Sequence, residues 1–597
     1  MDIELPCAAN FIYNLKRTPT THHFPMTKSL LPIQSRNVAV IGAGAAGLIA
    51  ARELRREGHR VVVLEKNNRI GGTWVYTPRV ESDPLGVDPN RAVIHTSLYS
   101  SLRTNLPREV MGFTDYPFTA RDDGSGDPRR FPGHAEVLRY LEEFVSEFGI
   151  DEMVRFESEV VNVGLMENNK WKVKSKLRNV DGDCDEIYDA VVVCNGHYTE
   201  PRIAEIPELS LCAAVKMFTM FLISLAAFTF LGIDVWPGKQ MHSHNYRVPE
   251  PFRNQVIILV GSSASAVDIC RDLAGVAKEV HLVSRSVADG TYEKQPGFDN
   301  MWLHSMIESA HDNGAVVFRN GHTVHADVIL HCTGYKYHFP FLETNGIVTM
   351  DDNRVGPLYK HVFPPVLAPW LSFVGLPWKV IPFPLCEYQS KWIAGVLSGQ
   401  IVLPSQEEMM EDTKAFYSTL EASGTPKRYT HNMGDYQFDY DNWLAEQCGY
   451  LGVEGWRKQM YNAVSKNRLT RPETYRDEWD DHHLILQAQE DFIKYTSNRV
   501  TRNVLLSTRT DYANLANSIG SHFVQDTSAR VVVELQPGLV LTALSGQIYI
   551  GEIMNFREYP FLARNDGTAD PRRFRGHWEV LMQLKEFSRE FGIEANS

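Results

Sequence analysis

The sequence predicts an α/β protein built from two dinucleotide-binding (Rossmann-like) domains, one inserted in the other. Three observations carry this. A glycine-patterned strand–helix–strand stretch begins at Asn37, and a second stretch of the same grammar begins at Val256. Two buried-strand patterns, "YDAVVVCNGHY" from Tyr188 and "ADVILHCTGYKY" from Ala326, flank the second stretch.

The chain of 597 residues is 43% hydrophobic and 22% charged, an ordinary globular balance. Its formal net charge of −13 argues against a nucleic-acid partner, since phosphate needs a basic face. The eight cysteines lie singly, and no CxxC or Cys/His cluster predicts a metal or redox-disulfide site. Residues 1–35 read as a disordered extension: "LKRTPTTHHFPMTKSLLPIQSR" lacks acids, yet lacks the Arg-rich amphipathic pattern of a transit peptide. The expected location is cytoplasmic, with organelle targeting by this extension as the alternative.

In "NVAVIGAGAAGLIAARELRREGHRVVVLEK" a buried strand runs into Gly42-Ala43-Gly44-Ala45-Ala46-Gly47 where a helix begins. Gly42 permits the tight turn, Gly44 the approach of pyrophosphate, and Gly47 close helix–strand packing. The helix N-terminus offers free N–H groups to phosphate. Glu65 ends the next strand, placed to accept from a ribose hydroxyl, an arrangement that suits FAD.

"VIILVGSSASAVDICRDLAGVAKEVHLVSRS" repeats the pattern as Gly261-Ser262-Ser263-Ala264-Ser265-Ala266, a degenerate GxSxxA. Here the second strand leads to Arg285 in place of an acid, which suits the 2′-phosphate of NADPH. The expected division is an FAD-binding domain over 36–207 and 326–497, with the NADPH-binding domain, 232–325, inserted. The two flanking strand patterns mark where the chain leaves and re-enters the first domain.

These residues resemble the flavin-containing monooxygenases. The marker FxGxxxHxxxY is matched by "WPGKQMHSHNY", with Trp236 for the usual Phe and Gly238, His242 and Tyr246 in place. Thr333-Gly334-Tyr335 matches a TGY element, and "GGTW" supplies Gly72 and Trp74 to the FAD site. "LRTNLPREVMGF" places Asn105 where the family has an amide beside the flavin. The likeness covers roughly 36–495 and is greatest to the plant subgroup that oxygenates thioethers such as methylthioalkyl glucosinolates. It implies that NADPH reduces FAD, that O2 forms a 4a-hydroperoxide, and that a soft sulfur or nitrogen takes the distal oxygen. No acid–base triad is needed, because the cofactor does the chemistry. N-oxygenating and auxin-forming relatives remain alternatives. Baeyer–Villiger enzymes end the marker in Trp, and disulfide oxidoreductases need a cysteine pair that is missing here. His242 and Cys332 read as packing residues.

Two segments fall outside that likeness. The apolar run Met217 to Ile233 holds 17 consecutive uncharged residues and overlaps the segment 208–231, but one crossing there would put the two folds on opposite sides of a bilayer. Residues 208–231 read as an insertion. Residues 552–597 repeat 109–154 ("PRRFPGHAEVL" against "PRRFRGHWEVL"), without a glycine turn or a second Asn105. They read as a partial duplicate joined by 498–551, to which no fold is assigned. A non-catalytic product, its domains kept from docking by 208–231, is the alternative of another class.

Overall fold

The computed structural model describes residues 34–121, 123–178, 182–204, 206 and 236–494, and the backbone of 530–536, 539–544 and 547–552. The extension as far as residue 33, the insertion 208–231 and the repeat beyond 552 lie outside the described residues. The chain divides into one unit, Met1–Glu490, and another, Asp491–Ser597.

In the first unit, β1 (Asn37–Ile41), α1 (Ala45–Arg56) and β2 (Arg60–Leu64) form where the first glycine pattern places them. β1 pairs in parallel with β2 on one side and with Ala190–Val193 on the other. Val154–Arg155 and Leu371–Phe373 complete a five-stranded parallel sheet. Such a sheet must be covered on both faces, which is why its strands read as unbroken apolar runs. Ala39 and Ile41 pack with Val163, Trp171 and Val173 of a four-stranded sheet. Val40 faces α1, its Cγ1 lying 3.4 Å from the place a Cβ on Gly47 would take.

The second sheet is built on β3 (Val256–Val260) and β4 (Glu279–Val283), joined by α2 (Ala264–Ala274). Ile257 and Leu259 share a cluster with Ala266, Ile269 and Leu273 of α2. Ile258 and Val260 face the other way, onto Val316 and Phe318 of a small antiparallel sheet. This is the period-two alternation of a strand buried on both faces.

One boundary is corrected. Val328–His331, expected to return the chain to the first domain from 326, pairs in parallel with β3 and with Lys239–His242 in the second sheet. The chain crosses back later, where Tyr335–Lys336 pairs antiparallel with Glu200–Pro201. The second unit contains an antiparallel meander, Arg530–Gln536, Leu539–Leu544 and Gln547–Glu552, in the segment to which no fold was assigned.

A buried ion network fastens α1 to α3 (Pro382–Ser398). Arg52, 1% exposed, meets Glu53 at 2.6 Å, Asp115 at 2.8 Å and Glu387 at 3.4 Å. Lys391 meets the fully buried Glu387 at 2.7 Å. Burial raises the Glu387 carboxyl, but Lys391 and Arg52 outweigh it and hold it below the usual range. Carboxylates held low contribute stability that is present at neutral pH and lost as pH falls through the folded-state value. Arg52→Met strands the Glu387 charge beside only Lys391 and should cost about 3–5 kcal/mol. Denaturant unfolding of the two forms checks this; a loss below about 1 kcal/mol contradicts it.

Candidate active site

The two nucleotide turns use the same backbone bonds despite their different residues. Gly42 N–H donates to Leu64 O at 2.9 Å, and Gly261 N–H to Val283 O at 2.9 Å. Cys194 N–H donates to Ile41 O at 3.0 Å, and Cys332 N–H to Val260 O at 2.9 Å. Gly42 (φ +101°) and Gly261 (φ +122°) hold left-handed conformations, and a Cβ on either would press on the carbonyl of Cys194 or Cys332, at 2.9 and 2.4 Å. Only glycine meets both conditions.

At Gly47 a Cβ would lie 1.8 Å from Gly42 O, so α1 rests directly on the turn. Gly72 presses on Gly44 in the same way, a Cβ there falling 2.9 Å from Gly44 Cα. Gly71 N–H donates to Ala43 O at 2.9 Å. Trp74 follows, its ring 6.4 Å edge-on from Phe383 of α3. Glu65, buried at the end of β2, accepts from Ala43 N–H at 2.8 Å and from the Asn67 backbone and side chain at 2.9 Å. The first turn, Glu65 and Gly72 are thus in direct contact, and Trp74 ends the short turn that Gly72 begins.

Neither nucleotide helix is capped by a side chain: Gly44 precedes α1 and Ser263 precedes α2 without capping bonds. The helix Gln406–Ala422, by contrast, has a full Ser405–Glu408 capping box. The first-turn N–H groups of α1 and α2 are left for an anion, so these residues fit the phosphates of FAD and of a nicotinamide coenzyme. In the second turn Ser262, Ser263 and Ser265 are exposed, and Ala264 is half-buried. Ala266 is fully buried and carries a methyl where Gly47 has none. Ser262 Oγ lies 2.9 Å from Ser284 Oγ, which brings the turn to the residue before Arg285. Arg285 is exposed and lies over the Tyr429 ring, to whose hydroxyl it donates.

Asn105 is exposed, whereas Thr104, Leu106, Pro107 and Arg108 around it are buried. Its loop is pinned by Thr104 N–H to Pro132 O and Arg108 N–H to Arg130 O, both 2.9 Å. Arg476 Nε donates to Thr104 O at 2.9 Å, and its Nη2 meets Asp268 of α2 at 2.6 Å. Tyr99 donates to the same Asp268 at 3.2 Å. The Asn105 loop is therefore tied to the helix of the second fold.

The marker residues are packing residues. Trp236 lies in the cluster on one face of the second sheet and Tyr246 in the cluster on the other, with edge strand Lys239–His242 between them. Tyr246 donates to Asp272 of α2 at 2.6 Å. Burial pushes His242 down to about 3, so it stays neutral and moves no proton near neutrality. Burial likewise raises the Cys332 thiol far above its usual range, leaving it inert. Arg247, to which the sequence assigns no role, donates to the carbonyls of Thr77, Arg79, Thr96, His244 and Tyr246, joining the marker to the first fold. Arg476 and Asp268 were also missed. Nothing local distinguishes them, because their partners are far along the chain. Among the described residues no helix is long and apolar enough to cross a membrane.

Comparison with known proteins places this arrangement. Residues 35–293 and 298–456 match the sequence profile of the flavin-binding monooxygenase-like family. The chain is 61% identical to flavin-containing monooxygenase FMO GS-OX-like 4 of Arabidopsis thaliana, over 79% of this chain and 100% of that protein. The solved structure of S-allyl-L-cysteine S-oxygenase from Allium sativum superposes with a TM-score of 0.73 at 62% identity, covering 78% of this chain and 100% of that one. Tmm from Pelagibacter superposes with a TM-score of 0.60 at 26% identity, over 74% of this chain and 93% of its own. The two turns, the marker packed around the second sheet and these likenesses lead to one conclusion: the chain belongs to the flavin-binding monooxygenase-like family and is an FAD-containing, NADPH-dependent monooxygenase.

Proposed function

We propose that the chain transfers one oxygen atom from O2 to the sulfur of a small thioether, of the methylthioalkyl glucosinolate or S-alkylcysteine kind. The observation that carries this is 62% identity to an S-allyl-L-cysteine S-oxygenase over that enzyme's whole described length. When bound, reduced flavin supplies the O2 activation. The protein's part is to hold, orient and shield. The first turn takes the pyrophosphate of FAD on the uncapped end of α1, with Glu65 at the ribose. The second turn takes the coenzyme pyrophosphate on α2, with Arg285 at the 2′-phosphate. Asn105 presents an amide, donor and acceptor together, from a loop whose flanking residues are fixed. Its link through Arg476 to α2 keeps that amide in register with the coenzyme.

Purified chain should carry bound FAD and oxidise NADPH faster when a methyl thioether is added, yielding sulfoxide. A form ending at Ser497 should behave alike, because the 552–597 repeat has no glycine turn and no Asn105 counterpart. Flavin-loaded chain that yields no sulfoxide contradicts the reading, and loss of flavin on truncation contradicts the minor role given to the C-terminal segment.

Arg285→Ala should raise the apparent NADPH constant about 10- to 100-fold and leave NADH within about twofold, from the loss of one charge-assisted contact. Steady-state kinetics with both coenzymes check it; equal losses remove Arg285 from the phosphate.

Asn105→Ala should keep FAD and coenzyme oxidation but lower sulfoxide formation about 100-fold, with H2O2 released instead. Peroxide measured per NADPH consumed decides; a fully coupled variant contradicts the assignment.

A further inference from the structure

Arg285 does not stand alone at the end of β4. Its guanidinium lies 5.9 Å from the centre of the Tyr429 ring and donates to the Tyr429 hydroxyl. Tyr429 closes the short turn Lys427–Tyr429, and Arg428 lies over the same ring at 5.4 Å. Arg428 Nε is buried without a hydrogen-bond partner. A third guanidinium, Arg202, follows the strand Glu200–Pro201. Its Nε and Nη2 donate to Thr333 O at 3.1 and 2.9 Å, and its backbone N–H donates to Gly334 O at 2.9 Å. Those bonds fix Arg202 just past the carboxyl end of Val328–His331, the strand beside β3. Arg285 and Arg428 thus share the Tyr429 ring, and Arg202 lies within electrostatic reach of both. The three come from separate parts of the chain, and Arg202 and Arg428 lie outside the glycine-turn fold that supplies Arg285.

Their charges are only partly offset. Asp352, half exposed, meets Arg428 Nη1 at 3.2 Å. Burial, then repulsion from Arg285 and Arg428, holds the Arg202 guanidinium below the usual arginine range. Like charges gathered at a partly buried place are relieved by a bound anion. The carboxyl end of β4 is where a dinucleotide fold receives the adenosine ribose, and guanidinium forks match phosphate oxygens.

We propose that Arg202 and Arg428 complete, with Arg285 and Tyr429, a pocket of three guanidiniums for the dianionic 2′-phosphate of the coenzyme. This rests on the reading that Arg285 faces that phosphate. It adds that the coenzyme is gripped from outside the second sheet as well as from within it, so that preference for the phosphorylated coenzyme is shared among three side chains.

The test uses binding without turnover. FAD-loaded full-length chain is titrated calorimetrically with adenosine 2′,5′-bisphosphate and, separately, with 5′-AMP. The native chain should favour the bisphosphate by at least about tenfold. Arg202→Gln and Arg428→Gln should each weaken the bisphosphate about tenfold and leave 5′-AMP within about twofold, as expected for loss of one charge-assisted contact. Arg428→Lys should recover part of the loss. If Arg202→Gln fails to retain flavin, Arg428→Gln decides alone. Should Arg285→Ala erase the preference while Arg202→Gln and Arg428→Gln keep the native value, this inference is wrong and the Arg285 reading stands. Equal binding of the two nucleotides by the native chain overturns both.

Discussion

The approach of α1 to the first turn is the constraint on which the site depends. With 1.8 Å between Gly42 O and the place of a Cβ on Gly47, α1 seats only where position 47 has no side chain. That seating points the uncapped end of α1 along β1 and sets the turn against Gly72. Glu65 then closes the arrangement by accepting from Ala43 N–H. Glycine or alanine occupies every position from Gly42 to Gly47, so the turn presents mostly backbone. The second turn keeps the same backbone bonds and holds the fully buried methyl of Ala266 where the first has a bare glycine.

The marker has its spacing for a comparable reason. Nine residues separate Trp236 from Tyr246, enough for a four-residue edge strand and the turn that carries the chain from one face of the sheet to the other. The aromatic at each end plugs the core on its own side. Arg247 then satisfies five carbonyls of irregular backbone, and such buried acceptors would otherwise be costly. The marker's two aromatics thus build the sheet against which the second turn is set.

What the sequence revealed was local. Gly42, Gly44, Gly47 and Glu65 lie within one strand–helix–strand unit, and their places in it follow from spacing alone. The second fold was legible through Gly261 and Arg285 for the same reason. The strand Val328–His331 was misassigned because a strand buried on both faces looks identical in sequence whichever sheet receives it. The ties of Arg476 to Asp268 and of Arg247 to the 77–96 segment join residues more than a hundred positions apart, and no period or motif marks them. The meander at 530–552 did leave a signal: Pro537-Gly538 and Ser545-Gly546 separate three strand-like runs, a turn pattern that went unread.

In the proposed reaction two nucleotide turns, with the Asn105 loop tied to the helix of the second, place an oxygen atom from O2 on a thioether sulfur. Turnover of a methyl thioether with NADPH under isotopically heavy O2, followed by mass spectrometry of the product, tests this most directly. The account predicts a sulfoxide bearing one heavy oxygen atom, formed in step with NADPH consumption. A product whose oxygen comes from water, or NADPH consumed with all the heavy oxygen recovered as peroxide or water, would contradict it.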